Sequence, residues 1–286
     1  MKNKRTFLSL LAFALLAIAP FSVSQQKKAQ APKSLRVYVF DCGSLNIPDT
    51  TPYQLKKEEL ATTYMSVACF LVAHPKGTLM WDVGAVPDSA FKGSGPGTLR
   101  YATSTKTLTS QLAEIGYAPS DINYLAISHF HWDHVGNSNL FAPTAKWLVR
   151  KPERDIMFTE PFSPRTEPQN YSALKNAKTV IVTKDDYDVF GDGSVILKAA
   201  PGHSPAHQVL FLKLAKTGPV VISGDLYHYP EERKLKKIPT TEFNADQTVA
   251  SRAPIEAFLE KTHAQLWIQH DFTANAKLKK SPQFYE

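Results

Sequence analysis

The sequence predicts an α/β fold in which two β-sheets pack face to face and the helices lie outside them. Short apolar runs of strand length recur along the chain, whereas helical patterns are few and widely separated. No short-period repeat or low-complexity linker divides the 286 residues, of which 43% are hydrophobic and 21% charged. We therefore expect one large domain, over residues 35–286.

The individual elements follow from local patterns. Strands are predicted at 35–40, 67–73, 78–83, 124–127, 145–149, 179–183, 195–199, 208–214, 220–223 and 265–268. A helix is predicted at 106–115, where leucines have helical spacing and Gly116 is a natural stop. A second helical pattern at 246–262 should be kinked or divided by Pro254. Residues 151–178 contain four prolines and no periodicity, which predicts a surface excursion.

The N-terminus has the features of a secretory signal peptide over residues 1–24. Lys2, Lys4 and Arg5 precede an apolar stretch at 7–19, which is shorter than a typical transmembrane helix. We expect a periplasmic or secreted protein with no stable membrane anchor and a flexible tail at 25–34; an uncleaved anchor stays an alternative.

The charge of the chain argues against a nucleic-acid partner. Removing residues 1–24 takes away three basic and no acidic residues, which lowers the formal net charge from +7 to +4. The remaining excess lies largely near the two ends, and no basic stretch is interleaved with aromatic residues.

The chain has two cysteines, Cys42 and Cys69. An exported location would permit a disulfide between them. Each also lies in or beside an apolar strand, so two buried free thiols are equally compatible with the sequence.

The most informative stretch lies at 129–134, where three histidines and one aspartate occupy six consecutive positions. Neutral imidazole nitrogen and aspartate oxygen are ligands that zinc accepts. The run follows an apolar strand, so His129 and His131, two residues apart in an extended segment, project the same way and can share one cation. Asp133 and His134 then point toward a second position. The pattern predicts a metal site.

Three further candidate ligands also follow predicted strands, namely His203, Asp225 and His270. Strand ends gathered at one edge of a two-sheet core bring distant residues together. These side chains can therefore complete the coordination that the first run begins.

With these motifs the chain resembles the metallo-β-lactamase superfold and, within it, the N-acyl-homoserine lactonase family. The resemblance covers residues 35–270. It rests on five motifs, which are Trp81-Asp82-Val83-Gly84, the run at 129–134, Pro201-Gly202-His203-Ser204-Pro205-Ala206-His207, Gly224-Asp225 and Gln269-His270-Asp271. It implies a four-layer αββα sandwich of two mixed sheets with helices outside.

The resemblance also implies a dinuclear metal centre. One cation would be held by His129, His131 and His203. The other would be held by Asp133, His134 and His270, with Asp225 bridging the pair and Asp82 supporting a ligand imidazole. Two divalent ions are expected, zinc first, with iron, cobalt and manganese as alternatives.

Neighbouring families of the superfold fit less well. Metallo-β-lactamases with the same run generally lack a carboxylate where Asp225 stands. Glyoxalase II adds a helical substrate domain, for which the sixteen residues after His270 leave no room. Lactonases often place a tyrosine three residues after the bridging aspartate, but this chain has His228 there, as the exported organophosphate hydrolases do.

We therefore predict a hydrolase that opens N-acyl-homoserine lactones, the reaction called quorum quenching, by attack of a hydroxide that bridges the metals. His228 or Tyr227 would donate to the oxyanion, and Asp133 would carry a proton. The expected partner is a small lactone or ester, and a homodimer is compatible with the sequence. Six residues are candidates for the substrate walls: Met65, Phe91, Phe158, Phe162, Tyr227 and Phe272.

Three alternatives remain open. The first is an organophosphate or aryl-ester hydrolase similar to methyl parathion hydrolase, and the second is a β-lactamase of the same fold. The third is a non-catalytic protein with structural metals, although structural zinc is normally closed by four ligands.

Overall fold

The computed structural model describes residues 29–286 and contains two mixed β-sheets that pack face to face with helices on both outer faces. This arrangement confirms the predicted fold. The predicted signal peptide at 1–24 and the first part of the predicted tail lie outside the described residues. The end of that tail contacts the domain, since the Ala29 amide donates to the Gly116 carbonyl at 2.9 Å.

The first sheet has eight strands. They are β1 (Arg36–Asn46), β2 (Tyr64–His74), β3 (Gly77–Trp81), β4 (Gly97–Leu99), β5 (Ala102–Ser104), β6 (Tyr124–Ala126), β7 (Lys146–Val149) and β8 (Thr179–Ile181). Their order is β4-β5-β1-β2-β3-β6-β7-β8. The strands from β1 to β3 pair antiparallel, whereas β3, β6, β7 and β8 pair parallel.

The second sheet has five strands. They are β9 (Asp186–Asp188), β10 (Val195–Ala199), β11 (Gln208–Leu214), β12 (Gly218–Ile222) and β13 (Gln265–Trp267). Their order is β13-β12-β11-β10-β9, and only the β12–β13 pair is parallel.

Five α-helices accompany the sheets. They are α1 (Leu108–Glu114), α2 (Lys151–Phe158), α3 (Pro230–Leu235), α4 (Ala245–Thr262) and α5 (Phe272–Lys277). Pro254 lies inside α4 without dividing it, contrary to one expectation. None of the helices within residues 29–286 is long and apolar enough to cross a membrane.

The segment 151–178 is not the surface excursion that its prolines predicted. It begins with α2, and Met157, Tyr171 and Leu174 are fully buried in the core beneath the first sheet. Pro152 is tolerated because it occupies the first turn of α2, where its missing amide hydrogen is not needed.

The layers follow from the alternation of side chains along the strands. In β1, Val37 and Val39 belong to the same buried cluster as Leu197 and Leu210 of the second sheet, whereas Phe40 belongs to the cluster that includes Leu108 and Leu112 of α1. The outer face of the second sheet is covered by α4. This places helices outside both sheets and fills the centre with aliphatic residues.

Two long-range links close the first strands. Cys42 of β1 and Cys69 of β2 form a disulfide with Cα atoms 5.9 Å apart, which settles the alternative left open by the sequence. The last residues of the chain return to the start of β1, where Val37 and Tyr285 exchange two backbone hydrogen bonds of 2.9 Å. Beside them the Ser34 hydroxyl donates to Glu286 at 2.7 Å.

Candidate metal centre

The predicted ligands meet at one edge of the sandwich, beyond the carboxyl ends of four strands. The run 129–134 follows β6, and His203 follows β10. Asp225 follows β12, and His270 follows β13. All seven residues are buried, with at most 8% of the surface of any of them exposed. The structure therefore brings together every residue that the sequence singled out as a ligand.

Asp225 lies between two groups of ligands. Its Oδ2 atom is 3.3 Å from Nε2 of His203 and 3.5 Å from Nε2 of His129. Its Oδ1 atom is 3.1 Å from Nε2 of both His134 and His270. One carboxylate thus faces both groups, which is the geometry of a bridging ligand.

The buried atoms at this centre lack partners that a metal ion would provide. His129 Nε2 and Asp225 Oδ1 have no hydrogen-bond partner among the described residues. Burial lowers the pKa of His129 well below its usual value, which favours the neutral imidazole that binds metals. Buried nitrogen and oxygen lone pairs that face one another are costly unless a cation accepts them. The donor set therefore fits two cations.

The ligand atoms divide into the two predicted sets. His129, His131, His203 and Asp225 form one group whose ligand atoms lie within 4.8 Å of one another, and Asp133, His134 and His270 form the other.

Three ligand imidazoles are oriented by hydrogen bonds on the far side of the ring. His134 Nδ1 is 2.8 Å from Asp82, His270 Nδ1 is 2.7 Å from the Ser66 carbonyl, and His203 Nδ1 is 3.1 Å from Glu242. Each contact leaves Nε2 directed at the centre and fixes the tautomer. The hydrogen bond from His203 helps lower the pKa of Glu242 to about 2 against the opposing effect of burial, so this carboxylate is charged at neutral pH.

Asp82 has the supporting role that the resemblance implied. Besides His134, its carboxylate accepts hydrogen bonds from the Ser128 amide, the Ser128 hydroxyl and the Gln269 side chain, at 2.6, 2.9 and 2.7 Å. Its backbone has a φ of 51°, in the left-handed region that a non-glycine residue rarely adopts. These bonds hold Asp82 in that conformation.

His207 is a buried histidine that positions Asp225 without being a ligand. Its Nδ1 lies 3.0 Å from the Ala200 carbonyl and its Nε2 accepts the Asp225 amide at 2.9 Å. Burial lowers the pKa of His207 to about 3, so the ring is neutral. Gly224 must remain glycine here, since a Cβ would lie 2.6 Å from His207 Nε2.

Glu153 of α2 ties two ligand loops together and was missed by the sequence reasoning. Its carboxylate accepts hydrogen bonds from the Phe130 amide at 2.7 Å, the Ser204 hydroxyl at 2.7 Å and the Ala206 amide at 2.9 Å. Burial raises the pKa of Glu153 to about 7. The only available signal was an acidic residue just beyond β7, which the prolines of that segment obscured.

The two predicted oxyanion donors have different positions. His228 is buried at the centre, with Nε2 3.3 Å from Asp225 Oδ2 and Nδ1 3.1 Å from Glu232. Tyr227 points away, because its hydroxyl donates to Glu256 at 2.8 Å and its ring packs beneath Arg252. The structure therefore brings His228 to the site and does not bring Tyr227.

A cleft of about 100 Å³ opens above the ligands. We call the seven ligands and their supporting residues the floor of this cleft. The side chains around its mouth, which we call the rim, are Leu45, Tyr53, Met65, Arg100, Tyr101, Trp132 and Arg165. Of the six residues predicted to contact substrate, Met65 alone lines this cleft.

The rim loops are linked by a few hydrogen bonds. The Thr240 amide donates to the Pro52 carbonyl at 2.7 Å, and Arg165 donates to the Thr241 carbonyl at 2.6 Å. Arg100 pairs with Glu167 at 2.6 Å. Sequence patterns gave no signal for these residues, because they come from loops without periodicity.

Comparison with known proteins identifies relatives of similar sequence and fold. The sequence model of the metallo-beta-lactamase superfamily matches residues 62–263 of the chain. An N-acyl homoserine lactonase, AttM, from Azorhizobium caulinodans is 27% identical over 266 residues, covering 88% of this chain and 99% of that protein. An N-acyl homoserine lactone hydrolase solved with N-hexanoyl-L-homoserine at its catalytic metal centre superimposes with a TM-score of 0.71 at 22% identity, covering 87% and 98% of the two chains. The dizinc quorum-quenching lactonase AidC has a TM-score of 0.65 at 18% identity, with coverage of 91% and 96%.

Proposed function

The chain belongs to the metallo-beta-lactamase superfamily, and we propose that it is a metal-dependent lactonase that opens the ring of N-acyl-homoserine lactones. One observation carries this proposal: Asp225 faces both ligand groups, as a dinuclear hydrolase requires. Curated relatives that match over most of their length include N-acyl homoserine lactonases from Azorhizobium caulinodans and Bacillus thuringiensis, which supports the choice of substrate.

The ligands of the floor would hold two cations. When bound, these cations would supply an activated water and would act as a Lewis acid toward a carbonyl oxygen. His129, His131 and His203 hold one position. Asp133, His134 and His270 hold the other, with Asp225 shared. We infer zinc for both, because nitrogen-rich sites with a few carboxylates suit zinc.

Two residues are placed to act on the substrate. Asp133 lines the cleft, and its Oδ2 lies 3.5 Å from His270 Nε2, so this carboxylate can take a proton and pass it to the leaving alcohol. His228 lies on the opposite side of Asp225, oriented by Glu232. Its ring can donate to the carbonyl oxygen as charge develops there.

We further propose that the protein is exported after removal of residues 1–24. The basic residues before the apolar stretch at 7–19 support this. The Cys42–Cys69 disulfide also suits an oxidising compartment. Mass spectrometry of protein from the periplasmic and culture fractions should find a mature N-terminus near residue 25. An intact Met1 in these fractions would refute cleavage, and protein confined to the cytoplasmic fraction would refute export.

A substrate panel tests the proposed activity. Metal-loaded protein should open a long-chain N-acyl-homoserine lactone much faster than it hydrolyses paraoxon or nitrocefin. The reverse ranking would replace the lactonase with a phosphotriesterase or β-lactamase of the same fold, and absence of turnover on every ester would leave only a binding role.

A further inference from the structure

Tyr53 is a rim residue that no sequence pattern singled out, and its ring reaches the metal centre. It ends the short 3-10 turn Thr51–Tyr53 and lines the same cleft as Asp133 and Asp225. The ring contacts His228 edge-on with centroids 5.0 Å apart, and it contacts Tyr229 in the same way at 5.3 Å. Tyr53 therefore lies over the floor, beside the buried histidine.

The hydroxyl of Tyr53 is free to bind a ligand. Within residues 29–286 it has no hydrogen-bond partner, whereas Tyr229 donates to the Thr63 carbonyl at 3.1 Å and Tyr227 donates to Glu256. Burial raises the pKa of the Tyr53 phenol well above its usual value, and the neighbouring tyrosines and the charges of Asp133 and Asp225 raise it further. The phenol is thus a protonated donor near both carboxylates.

Three of the other candidate donors in the cleft already have a protein partner, which each would have to share or exchange to donate to a substrate oxygen. His228 has a carboxylate at each ring nitrogen, Glu232 at Nδ1 and Asp225 at Nε2. The Arg100 guanidinium pairs with Glu167, and Arg165 binds the Thr241 carbonyl. A substrate oxygen in this cleft therefore meets an uncommitted donor at Tyr53.

The loop that carries Tyr53 is held in place from both sides. The Tyr53 amide donates to the Thr50 carbonyl at 3.0 Å, and the Pro52 carbonyl accepts the Thr240 amide. The Gln54 side chain donates to the Ile238 carbonyl at 2.7 Å. A donor held in advance costs little reorganisation when charge develops on the substrate.

We propose that Tyr53 is a catalytic residue whose hydroxyl donates a hydrogen bond to the carbonyl oxygen of the substrate while water adds to the carbonyl carbon. The hydroxyl keeps its proton throughout; the water proton goes to the leaving alcohol as the carbon–oxygen bond of the ester breaks. This proposal rests on the proposed hydrolase function and adds a residue to it.

The test compares metal-loaded wild-type protein with Tyr53→Phe, which keeps the ring and removes only the hydroxyl. The matched control is Tyr229→Phe, because that hydroxyl binds Thr63 outside the cleft. Rates are measured on N-hexanoyl-homoserine lactone and on phenyl acetate, and binding of ring-opened N-hexanoyl-homoserine is measured by calorimetry. Metal content is determined for each protein.

Tyr53→Phe should lower kcat by about 10²-fold, the usual effect of losing one oxyanion donor. It should weaken binding of the ring-opened product by about 2- to 10-fold, as expected for one hydrogen bond, with metal content unchanged. Tyr229→Phe should match the wild type. If wild-type protein hydrolyses only phenyl acetate, the lactonase assignment fails and the Tyr53 comparison still proceeds on that ester.

The proposal is overturned if Tyr53→Phe equals the wild type in both turnover and product binding. It is also overturned if both phenylalanine variants lose the same activity, since that would indicate packing of the aromatic pair. Loss of metal from Tyr53→Phe would likewise show a structural contribution. Where no ester is turned over, calorimetry alone decides, with unchanged product affinity counting against the hydroxyl.

Discussion

The floor of the cleft and its rim are held in place by different parts of the molecule. Floor residues follow strand ends and are fixed from behind, as His134 is by Asp82 and His203 is by Glu242. Most rim residues, other than Leu45 and Met65, come from loops that are joined by isolated hydrogen bonds such as that between Arg165 and Thr241. A rigid sheet edge can determine which reaction is catalysed, whereas variable loops can determine which substrate binds.

Substitution of Asp225 should have the largest effect on the floor. Asp225→Ala should lose both metals and reduce hydrolysis to background, because the two carboxylate oxygens face the two ligand groups. Elemental analysis and initial rates measure the two effects. Full metal content with normal turnover would contradict the bridging role. Tyr227→Phe is the control, since its hydroxyl binds Glu256 away from the cleft.

His228 lies at the boundary between floor and rim. Its substitution tests whether it helps to hold the metals or only assists the reaction. His228→Phe should retain both metals and lower kcat by about 10²-fold, because it removes one donor near the reacting oxygen. The metal-to-protein ratio is measured beside kcat. A drop in that ratio would instead make His228 part of a ligand set with His203 and Glu242, which lie within ligand distance of it.

Glu153 tests whether the floor depends on support that never touches a ligand. Glu153→Gln should lower the free energy of unfolding by about 1–3 kcal/mol, because an amide NH₂ would face at least one of the buried donors at Phe130, Ser204 or Ala206. Metal affinity should fall by about 10- to 100-fold. Chemical denaturation and metal titration measure these changes. Wild-type values in both would show that the two ligand loops keep their positions without Glu153.

Arg165 tests the rim with the smallest expected effect. Arg165→Met should change KM by a few-fold and leave kcat and metal content nearly unchanged. The reason is that the Arg165 guanidinium holds a rim loop and does not bind the residues, such as Asp82 and Glu242, that orient the ligand imidazoles. Steady-state kinetics on two lactones of different chain length gives the measurement. A fall in kcat as large as that of His228→Phe would show that Arg165 takes part in the catalytic step.

The seven ligands of the floor could be predicted from the sequence because they follow recognisable strands and carry metal-binding atoms. His129 to His134 lie in one run, and the distant His203 and His270 each follow an apolar strand. Tyr53 and Glu153 were missed, since one aromatic residue in a loop and one acidic residue at the start of a proline-containing segment look like many others. Tyr227 was misjudged because adjacent residues can point in opposite directions, and only the packing of Arg252 and Glu256 shows which way it turns.

The pairing of Val37 with Tyr285 has a consequence for how the chain reaches this structure. The first strand contacts a segment almost at the other end of the polypeptide, and contacts of such high sequence separation slow folding. This bridge can form only after residue 285 has been synthesised, although the eight strands of the first sheet all lie before residue 182. For a protein proposed to be exported, the contact between these two segments would be among the last to form.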